Sequence, residues 1–374
     1  KAVDEYGEAL NKAKALLKNP AATQKEVNEA LKTLNEKRQA LDAYDTDTAK
    51  LAESVKKHGS TEGSAPTEGT QTSDAYRNAS DPHFMKEEGG KLVPDTDKND
   101  QAAADKKAYD EALTKAQDLL KKHDSADTPQ DAKPTQKDIN DALKNLDEAR
   151  KKLEDNYKTV TTKLDEEAKK STAEGATVAD ADFEATPEFK NAKAKKSNGV
   201  ENTDVTAYKK ALKDARGLLA KKDSATLSER PTQKQINEAL DALKAAKKQI
   251  TDNYKTNLEP LTSAKDFADG DFKNTPEYKN AVAKKTAGDP GATQALGEDG
   301  KDTGFDNILK KVAAKLNDAD WKQKATQKDV SALLKQLKDA QDNIAKKYKT
   351  DAIKLEREVG DKDQDGKPVV PPFE

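Results

Sequence analysis

One helical sequence occurs four times along this chain, and this repetition constrains the fold more than any other feature. Each copy begins Thr-Gln-Lys, at Thr23, Thr135, Thr232 and Thr326, so that successive copies are 112, 97 and 94 residues apart. The Thr hydroxyl can cap the free amides of a first helical turn, and an acid or amide three residues later can bond back to the Thr amide. Such self-similarity indicates a tandem array of structural repeats.

Each copy carries one apolar stripe on an otherwise charged helix. In the second copy the apolar residues recur every three or four positions: Ile139, Ala142, Leu146, Ala149 and Leu153. This spacing places them on one face of an α-helix and leaves the other faces charged. The pattern therefore predicts amphipathic helices that pack against other helices.

Two further helical patterns precede the Thr-Gln-Lys helix. The nearer is an aromatic residue followed by apolar residues at helical spacing. Its aromatic residues are Tyr6, Tyr109, Tyr208 and Phe305. We interpret them as packing residues rather than as a row that stacks on a ligand. The farther pattern is a short helix that starts Thr-Pro-Glu at 186–188 and 275–277, where Pro takes its favoured first helical position.

Together these patterns predict an all-α chain of tandem three-helix bundles. We expect a partial first repeat of two helices at residues 1–45 and full repeats at 46–157, 158–254 and 255–349. Residues 350–374 are expected to start a further, truncated repeat.

The apolar spacing also predicts how neighbouring repeats are joined. It continues past Tyr157 and predicts one helix from Thr135 to Ser171. Long helices shared in this way between neighbouring repeats would make an elongated, spectrin-like, monomeric rod. After Tyr254, Pro260 predicts a kink or a new helix start.

Composition agrees with small bundles and limits the partners. Of 374 residues, 37% are charged and only 33% hydrophobic, which favours several thin cores over one large globule. The net charge of −3 argues against nucleic acid and anionic membranes as partners, because both favour basic proteins. No stretch is apolar enough to predict insertion in a membrane. The absence of cysteine excludes disulfides and thiolate metal sites.

The start of the chain predicts a larger parent protein. The sequence begins at Lys1, without a methionine, inside a repeat. We therefore expect it to be a piece of a longer polypeptide.

With these motifs in view, the repeats resemble FIVAR-type helical modules of Gram-positive surface proteins. The resemblance lies in Thr-Pro-Glu-aromatic at 186–189 and 275–278, and in Thr232-Gln-x-x-Ile236-x-x-Ala239 with Leu243 four residues later. It covers most of the chain. The second repeat departs from it, because Ser73-Asp-Ala stands in place of Thr-Pro-Glu.

This resemblance implies a fold, a location and a role. It implies a three-helix bundle in each repeat, and a protein that is secreted, attached to the bacterial cell wall and used as stalk and adhesive surface. Some members of the family are associated with fibronectin binding, so a host extracellular-matrix protein is the partner that the resemblance implies. No single residue carries that role over to this chain.

No pattern in the sequence predicts catalysis, a metal or a cofactor. His58, His83 and His123 are too far apart in sequence for a local metal motif. Asp361-Lys-Asp-Gln-Asp-Gly begins like a calcium loop, but Pro372 stands where such a loop needs a glutamate. Because phosphate-binding loops and catalytic nucleophile motifs are also missing, we expect no enzyme.

Two sequence features are candidates for contact with a partner. The first is His83-Phe84-Met85, a cluster found only in the second repeat. The second is Trp321, the single tryptophan, which either closes the end of the last bundle or anchors a partner. The Asn in Asn78-Ala79-Ser80 fits a glycan acceptor, but its recurrence at Asn191 and Asn280 without the Ser favours a structural role.

Three functions remain open from the sequence. The first is an adhesin stalk that binds host matrix glycoprotein through many weak, equivalent faces. The second is a mechanical spacer without a ligand, and the third is an accessory stalk of a carbohydrate-active enzyme.

Overall fold

The structure is a computed structural model in which helices make up most of the chain. It describes residues 1–42, 45–59, 68–169, 183–196, 198–297 and 303–351. The helices in the first half are α1 Ala2–Leu17, α2 Gln24–Asp42, α3 Ala49–Lys56, α4 Asp74–Ser80, α5 Thr96–Asp124, α6 Gln136–Asn156, α7 Thr162–Lys169 and α8 Pro187–Ala194. Those in the second half are α9 Thr203–Ala220, α10 Gln233–Asn253, α11 Glu259–Asp269, α12 Pro276–Thr286, α13 Pro290–Leu296, α14 Phe305–Asn317, α15 Ala319–Lys324 and α16 Gln327–Lys347. The all-α prediction is confirmed.

The predicted caps start the Thr-Gln-Lys helices. At α6 the Thr135 hydroxyl accepts the Asp138 amide at 3.3 Å, and the Asp138 carboxylate accepts the Thr135 amide at 2.9 Å. Thr326 and Asp329 make the same pair of bonds at the start of α16. These reciprocal bonds hold the first turn of each helix.

The predicted continuous helix from Thr135 to Ser171 is wrong, because α6 ends at Asn156 and α7 begins at Thr162. Tyr157 leaves the helical region with φ −121° and ψ 19°. Tertiary hydrogen bonds take the place of the helical ones, since the Thr159 amide donates to the Asp74 carboxylate at 2.8 Å. Apolar residues recur at helical spacing again after this interruption because a second helix, α7, begins at Thr162.

The same interruption follows the next two tyrosines. Helix α10 ends at Asn253, just before Tyr254, and α16 ends at Lys347, just before Tyr348. The predicted start at Pro260 is confirmed, because α11 begins at Glu259 with Pro260 in its first turn. Shared helices are therefore absent at all three tyrosines within the described ranges.

The chain divides into two compact units, residues 1–164 with 217–238 and residues 165–216 with 239–374. In the first unit α3, α4, α5 and α6 pack together. Their core contains Leu51, Ala75, Ala79, Phe84, Ala102, Tyr109, Leu113, Ala116, Ile139, Ala142, Leu146, Leu153 and Tyr157. The apolar stripe predicted for the second Thr-Gln-Lys helix thus faces this core. The predicted boundaries of the repeats stay a prediction.

Helices α1 and α2, also in the first unit, pack against each other without a buried core. No side chain described in residues 1–42 is buried, and Leu17 is 81% exposed. Two amphipathic helices can cover only part of each other's apolar stripe, so a pair leaves more surface in water than a three-helix arrangement.

A β-hairpin lies between α4 and α5 and was not predicted. Strands β1 Met85–Glu88 and β2 Lys91–Pro94 pair antiparallel, with Met85 opposite Pro94. Gly89 and Gly90 form the turn with φ values of 58° and 76°. Two successive positive φ values are typical of the tight turns of hairpins, and glycine adopts them without steric cost.

The second unit is built around α11, α12, α13, α14 and α16. Its core includes Leu261, Phe272, Ala281, Leu296, Phe305, Val312, Val330, Leu337, Ile344 and Tyr348. Phe305 lies 5.0 Å from Phe272 and 5.6 Å from Tyr278 between ring centroids, and Tyr208 is packed similarly between Phe183 and Phe189. Tyr109, Tyr208 and Phe305 are fully buried, which confirms that they are packing residues.

Candidate functional site

The cluster His83-Phe84-Met85 lies at the end of α4 and the start of β1. His83 is partly exposed, and its Nε2 lies 3.0 Å from a carboxylate oxygen of Asp81. Phe84 is only 2% exposed and packs on the ring of Tyr157, with 5.8 Å between the ring centroids. Met85 is 37% exposed. In this conformation His83 and Met85 are accessible to a partner, whereas Phe84 is part of the core.

Trp321 lies on the short helix α15 in the second unit. It is partly buried and packs against the core of that unit. Asp318 caps α15 and accepts the Trp321 amide at 3.1 Å. This position agrees with closure of a bundle end, and the role of Trp321 and of the 83–85 cluster in partner contact stays a prediction.

A recurring set of hydrogen bonds surrounds the residues that follow each tyrosine, which we call the junction segments. In the first unit Asn78 is almost fully buried beside the junction segment 157–160. Its Nδ2 donates to the Tyr157 carbonyl and to the Thr159 hydroxyl, both at 2.9 Å. Its Oδ1 accepts the backbone amide of Gln233 at 2.7 Å. One side chain therefore joins three elements.

Gln233, the second residue of a Thr-Gln-Lys motif, completes this set. Its side-chain Oε1 accepts the Val160 amide at 2.8 Å, and its Nε2 donates to the Val160 carbonyl at 3.3 Å. The Thr159 hydroxyl donates to the Pro231 carbonyl at 2.7 Å. The start of α10 is thus tied to the end of α6 by side chains that pair with backbone groups.

The second unit repeats this arrangement at the junction segment 254–257. Asn191 Nδ2 donates to the Tyr254 carbonyl and to the Thr256 hydroxyl at 2.9 Å. Asn191 Oδ1 accepts the Gln327 amide at 2.7 Å, and Gln327 Oε1 accepts the Asn257 amide at 2.9 Å. The structural role predicted for this asparagine is therefore seen at both places.

Two further positions make part of the same set. Asn280 donates to the Tyr348 carbonyl at 2.9 Å. At the other end of the chain Gln136 accepts the Asp47 amide at 2.7 Å, and Thr46 donates to the Pro134 carbonyl at 3.2 Å. The sequence signal for this set is Tyr-x-Thr, which recurs at 44–46, 157–159, 254–256 and 348–350 and was not among the predicted motifs.

A cleft opens beside Asn191 in the second unit. It has a volume of about 620 Å³ and is bounded by the end of α8, the junction segment and the start of α16. Its charged lining residues are Lys190, Lys195, Lys255 and Lys328. Ala194, Tyr254 and Ser331 also line it. The cleft is therefore cationic, with one aromatic side chain in its wall.

The most buried charges of the first unit serve structural contacts. Arg150 is 7% exposed and donates to the Ser54 carbonyl at 2.6 Å, the Thr70 hydroxyl at 3.2 Å and the Asp147 carboxylate at 2.7 Å. A buried guanidinium needs such partners because its desolvation is costly. These bonds hold α3 and the segment before α4 on α6.

Asp105 and Tyr157 form a second buried polar contact in the first unit. The Tyr157 hydroxyl donates to the Asp105 carboxylate at 2.7 Å, and Lys152 and Gln101 donate to the same carboxylate at 2.7 Å. Burial acts to raise the pKa of Asp105, but these three hydrogen bonds outweigh it and lower the pKa. Burial, followed by the hydrogen bond to Asp105, raises the pKa of Tyr157.

His58 takes part in the aromatic packing of the first unit. Its ring lies 5.7 Å from the Tyr109 ring and 5.9 Å from the Tyr76 ring, and its Nδ1 lies 2.9 Å from the Tyr109 hydroxyl. Burial is the main cause that lowers the pKa of His58. The negative charge of Asp110 acts to raise this pKa, and the positive charges of Arg150 and Lys106 act to lower it. The neutral imidazole is the form that fits this site.

No group of three or more His, Cys, Asp or Glu residues within the described ranges is arranged to hold a metal ion. The calcium-like sequence Asp361–Gly366 lies outside these ranges. Among the described residues, no helix combines the length and the apolar character that a membrane span requires.

These features define an all-α protein in which a short set of bonds recurs between successive helices. The FIVAR domain matches three segments of the chain, residues 1–42, 88–154 and 177–251. The chain carries FIVAR-type repeats, as predicted from its motifs. FIVAR domains occur in cell-surface proteins. Comparison with curated proteins and with solved structures found no match.

Proposed function

We propose that the chain is a non-catalytic repeat region of a bacterial cell-surface adhesin. It acts as an extended stalk and binds a host matrix glycoprotein such as fibronectin through several repeats. The observation that carries this proposal is the recurrence of one bond set, at Asn78 and again at Asn191, together with three matches to one domain. Repeats built alike present similar surfaces several times, and linked weak sites bind with high avidity.

The contacts of the buried charged residues support a role without catalysis. Arg150 and Asp105 in the first unit, and Lys247 with Glu167 in the second, are engaged with neighbouring side chains or backbone carbonyls. A catalytic acid or base would need an open face toward a substrate. Their contacts therefore favour a structural function for the most buried charges that the structure describes.

The occurrence of FIVAR domains in cell-surface proteins supports a location on the cell surface, and attachment to the cell wall is part of the proposal. The test is limited protease treatment of intact bacteria that express the parent protein, with an antibody raised against this chain. Loss of the antibody signal from intact cells, while a cytoplasmic control protein stays whole, is the expected result. Protection of the chain until the cells are lysed would contradict the proposal.

The binding test uses fibronectin immobilised at low and high surface density, with the whole 374-residue chain in solution. Multivalent binding predicts slower dissociation at high density, because a released repeat is recaptured by a neighbouring site. An unrelated immobilised glycoprotein serves as the control. Equal dissociation at both densities would contradict binding through several repeats.

The mechanical spacer is the alternative that the junction bonds themselves favour. Asn78 and Asn191 stabilise connections between helices whether or not a ligand binds. Absence of binding to fibronectin at every density and salt concentration would support this spacer function. A catalytic domain in the full-length protein would instead support an accessory stalk of a carbohydrate-active enzyme.

A further inference from the structure

The cationic cleft beside Asn191 has a counterpart in the first unit that is filled by the chain itself. The counterpart lies beside Asn78, which makes the same bonds as Asn191. There the segment 81–84, which leaves α4, runs across the start of α10. The two sites differ in what occupies them, although the surrounding bonds are the same.

Three contacts hold the segment 81–84 in the filled site. The carboxylate of Asp81 pairs with Lys234 at 3.2 Å. The carbonyl of His83 accepts a hydrogen bond from the Asn237 side chain at 2.6 Å. The ring of Phe84 covers Tyr157, which is 2% exposed as a result. The occupant is thus an extended segment with an acid and, three residues later, an aromatic ring.

The second unit keeps the receiving side of this site but lacks the occupant. Counted from the shared asparagine, Ala194 stands where Asp81 stands, and Lys195 follows in place of a proline. Lys328 corresponds to Lys234, and Ser331 corresponds to Asn237. Asp81, which pairs with Lys234 in the first unit, is therefore replaced in the second unit by Ala194, whose side chain is a methyl group.

Without that acid, the described lining of the open cleft contains lysines and no acidic side chain. Four lysines line it, and no carboxylate is paired with any of them within the described ranges. The carboxylate of Asp329 accepts hydrogen bonds from the Thr326 hydroxyl and amide, at 2.7 and 2.9 Å, and these bonds lower its pKa together with the nearby charges of Lys328 and Lys190. A cleft with one sign of charge attracts a ligand of the opposite sign.

The aromatic wall of the cleft is more exposed than the corresponding ring in the first unit. Tyr254 is partly exposed, whereas Tyr157 is buried under Phe84 and Tyr348 is buried in the core of the second unit. The ammonium of Lys195 lies 5.6 Å from the centre of the Tyr254 ring. An incoming aromatic ring can pack on Tyr254 as Phe84 packs on Tyr157, and aromatic pairs at such distances are favourable.

We propose that this cleft binds an extended acidic peptide of a partner protein, in which an aromatic residue follows the acid by about three positions. The acid pairs with Lys328, as Asp81 pairs with Lys234, and the aromatic ring packs on Tyr254. Binding of such a peptide in the cleft does not depend on binding of the chain to fibronectin.

The test uses the whole chain and a fluorescent, end-blocked peptide with the sequence of residues 79–85. We expect saturable binding with one site per chain, because the counterpart in the first unit is already filled. Binding is expected to weaken as salt is added, since the lysines are exposed and screened by ions. Peptides with Asp81→Asn or Phe84→Ala are expected to bind about two- to fivefold more weakly.

Two variants of the protein test the position of the site. Lys328→Glu is expected to weaken peptide binding about fivefold or more, whereas Lys338→Glu, with the same charge change on an exposed part of α16, leaves it unchanged. Ala194→Asp places a carboxylate inside the cleft and is expected to block binding from within the chain. Far-ultraviolet circular dichroism checks that each variant is folded.

Several results would overturn the proposal. The first is that no peptide binds at a peptide concentration of about 1 mM, because a specific site of this kind should have a dissociation constant below that value. The second is that Ala194→Asp and Lys328→Glu leave the affinity for the peptide unchanged. A third is equal competition by an anionic polysaccharide and by the acidic peptide, which would mean that charge alone is recognised.

Discussion

The side chain of Asn78 accepts the backbone amide of Gln233 at 2.7 Å, across 155 residues of sequence. The same side chain donates to the carbonyl of Tyr157, which has no helical partner because α6 has just ended. One buried amide therefore satisfies a helix end and a helix start at once. This relationship recurs between Asn191 and Gln327.

Replacing Asn78 by alanine is expected to destabilise the first unit by about 1–3 kcal/mol, because it leaves a buried amide and a buried carbonyl unpaired. Denaturant unfolding measures the loss, and hydrogen exchange at Gln233 and at residues 157–160 locates it. Asn280→Ala is the matched control, since among the described residues Asn280 bonds to Tyr348 and Thr350 and not to the start of a further helix. Equal losses in the two variants would contradict a special role for the contact with Gln233.

Replacing Arg150 by methionine is expected to cost about 1–3 kcal/mol of unfolding free energy, because Ser54 and Thr70 lose a buried donor. The measurement is denaturant unfolding with hydrogen exchange in α3. Lys151→Met on the exposed face of α6 is the control and should change little, since it removes only an exposed pair with Asp155. Unchanged exchange in α3 would show that Arg150 does not hold that helix.

Acidification is expected to destabilise the first unit partly through His58. Burial lowers the folded pKa of His58 below its ordinary value of 6.5, so the unfolded chain binds the proton more readily. The contribution of the neutral form is complete above about pH 6.5 and declines as the pH falls below it.

His58→Phe tests this pH dependence. Phe183 and Phe272 make similar ring contacts with Tyr208 and Phe305, and a phenylalanine side chain does not titrate. Unfolding free energies of the two proteins, measured between pH 7.5 and pH 5 by denaturant titration, are expected to diverge toward acid, with His58→Phe losing less. Parallel curves over this range would rule out His58 as the group that titrates.

Removing the Tyr157 hydroxyl is expected to cost about 1 kcal/mol and to raise the pKa of Asp105, because the carboxylate loses one of three donors. The lowered pKa of Asp105 contributes stability that is present above its ordinary pKa and is lost as the pH falls through the folded pKa. Acid unfolding of Tyr157→Phe should therefore begin at higher pH.

Tyr348→Phe is the control for that experiment. Tyr348 is similarly buried, but its hydroxyl makes no hydrogen bond within the part of the chain that the structure describes. Acid unfolding of this variant is expected to match that of the parent chain. A shift of the same size in both variants would assign the effect to loss of a hydroxyl in general.

The features that the sequence predicted well are local or periodic. Thr135 and Asp138 are three residues apart and cap the same helix, and the stripe that includes Leu146 and Leu153 follows from helical period alone. The sequence also indicated the buried aromatic residues, because Tyr109 stands at the same place in its pattern as Phe305.

The features that the sequence did not predict depend on distant residues. Helix α6 ends because Asp74 and Gln233, far away in sequence, bond to the backbone after Tyr157. The cationic cleft depends on differences between two repeats, such as alanine at 194 against aspartate at 81 and lysine at 195 against proline at 82. The spacing of apolar residues along a single helix predicts neither the end of α6 nor the cleft.

The pairing of Asn78 with Gln233 also bears on how such a chain can change in length. One copy supplies the asparagine and the Tyr-x-Thr segment, and the next supplies the glutamine. Duplication or deletion of a whole copy brings matching halves together again, so arrays can grow or shrink in evolution without a new contact having to be invented. A loss or gain of part of a copy would instead leave an asparagine or a glutamine of this set without its hydrogen-bond partner.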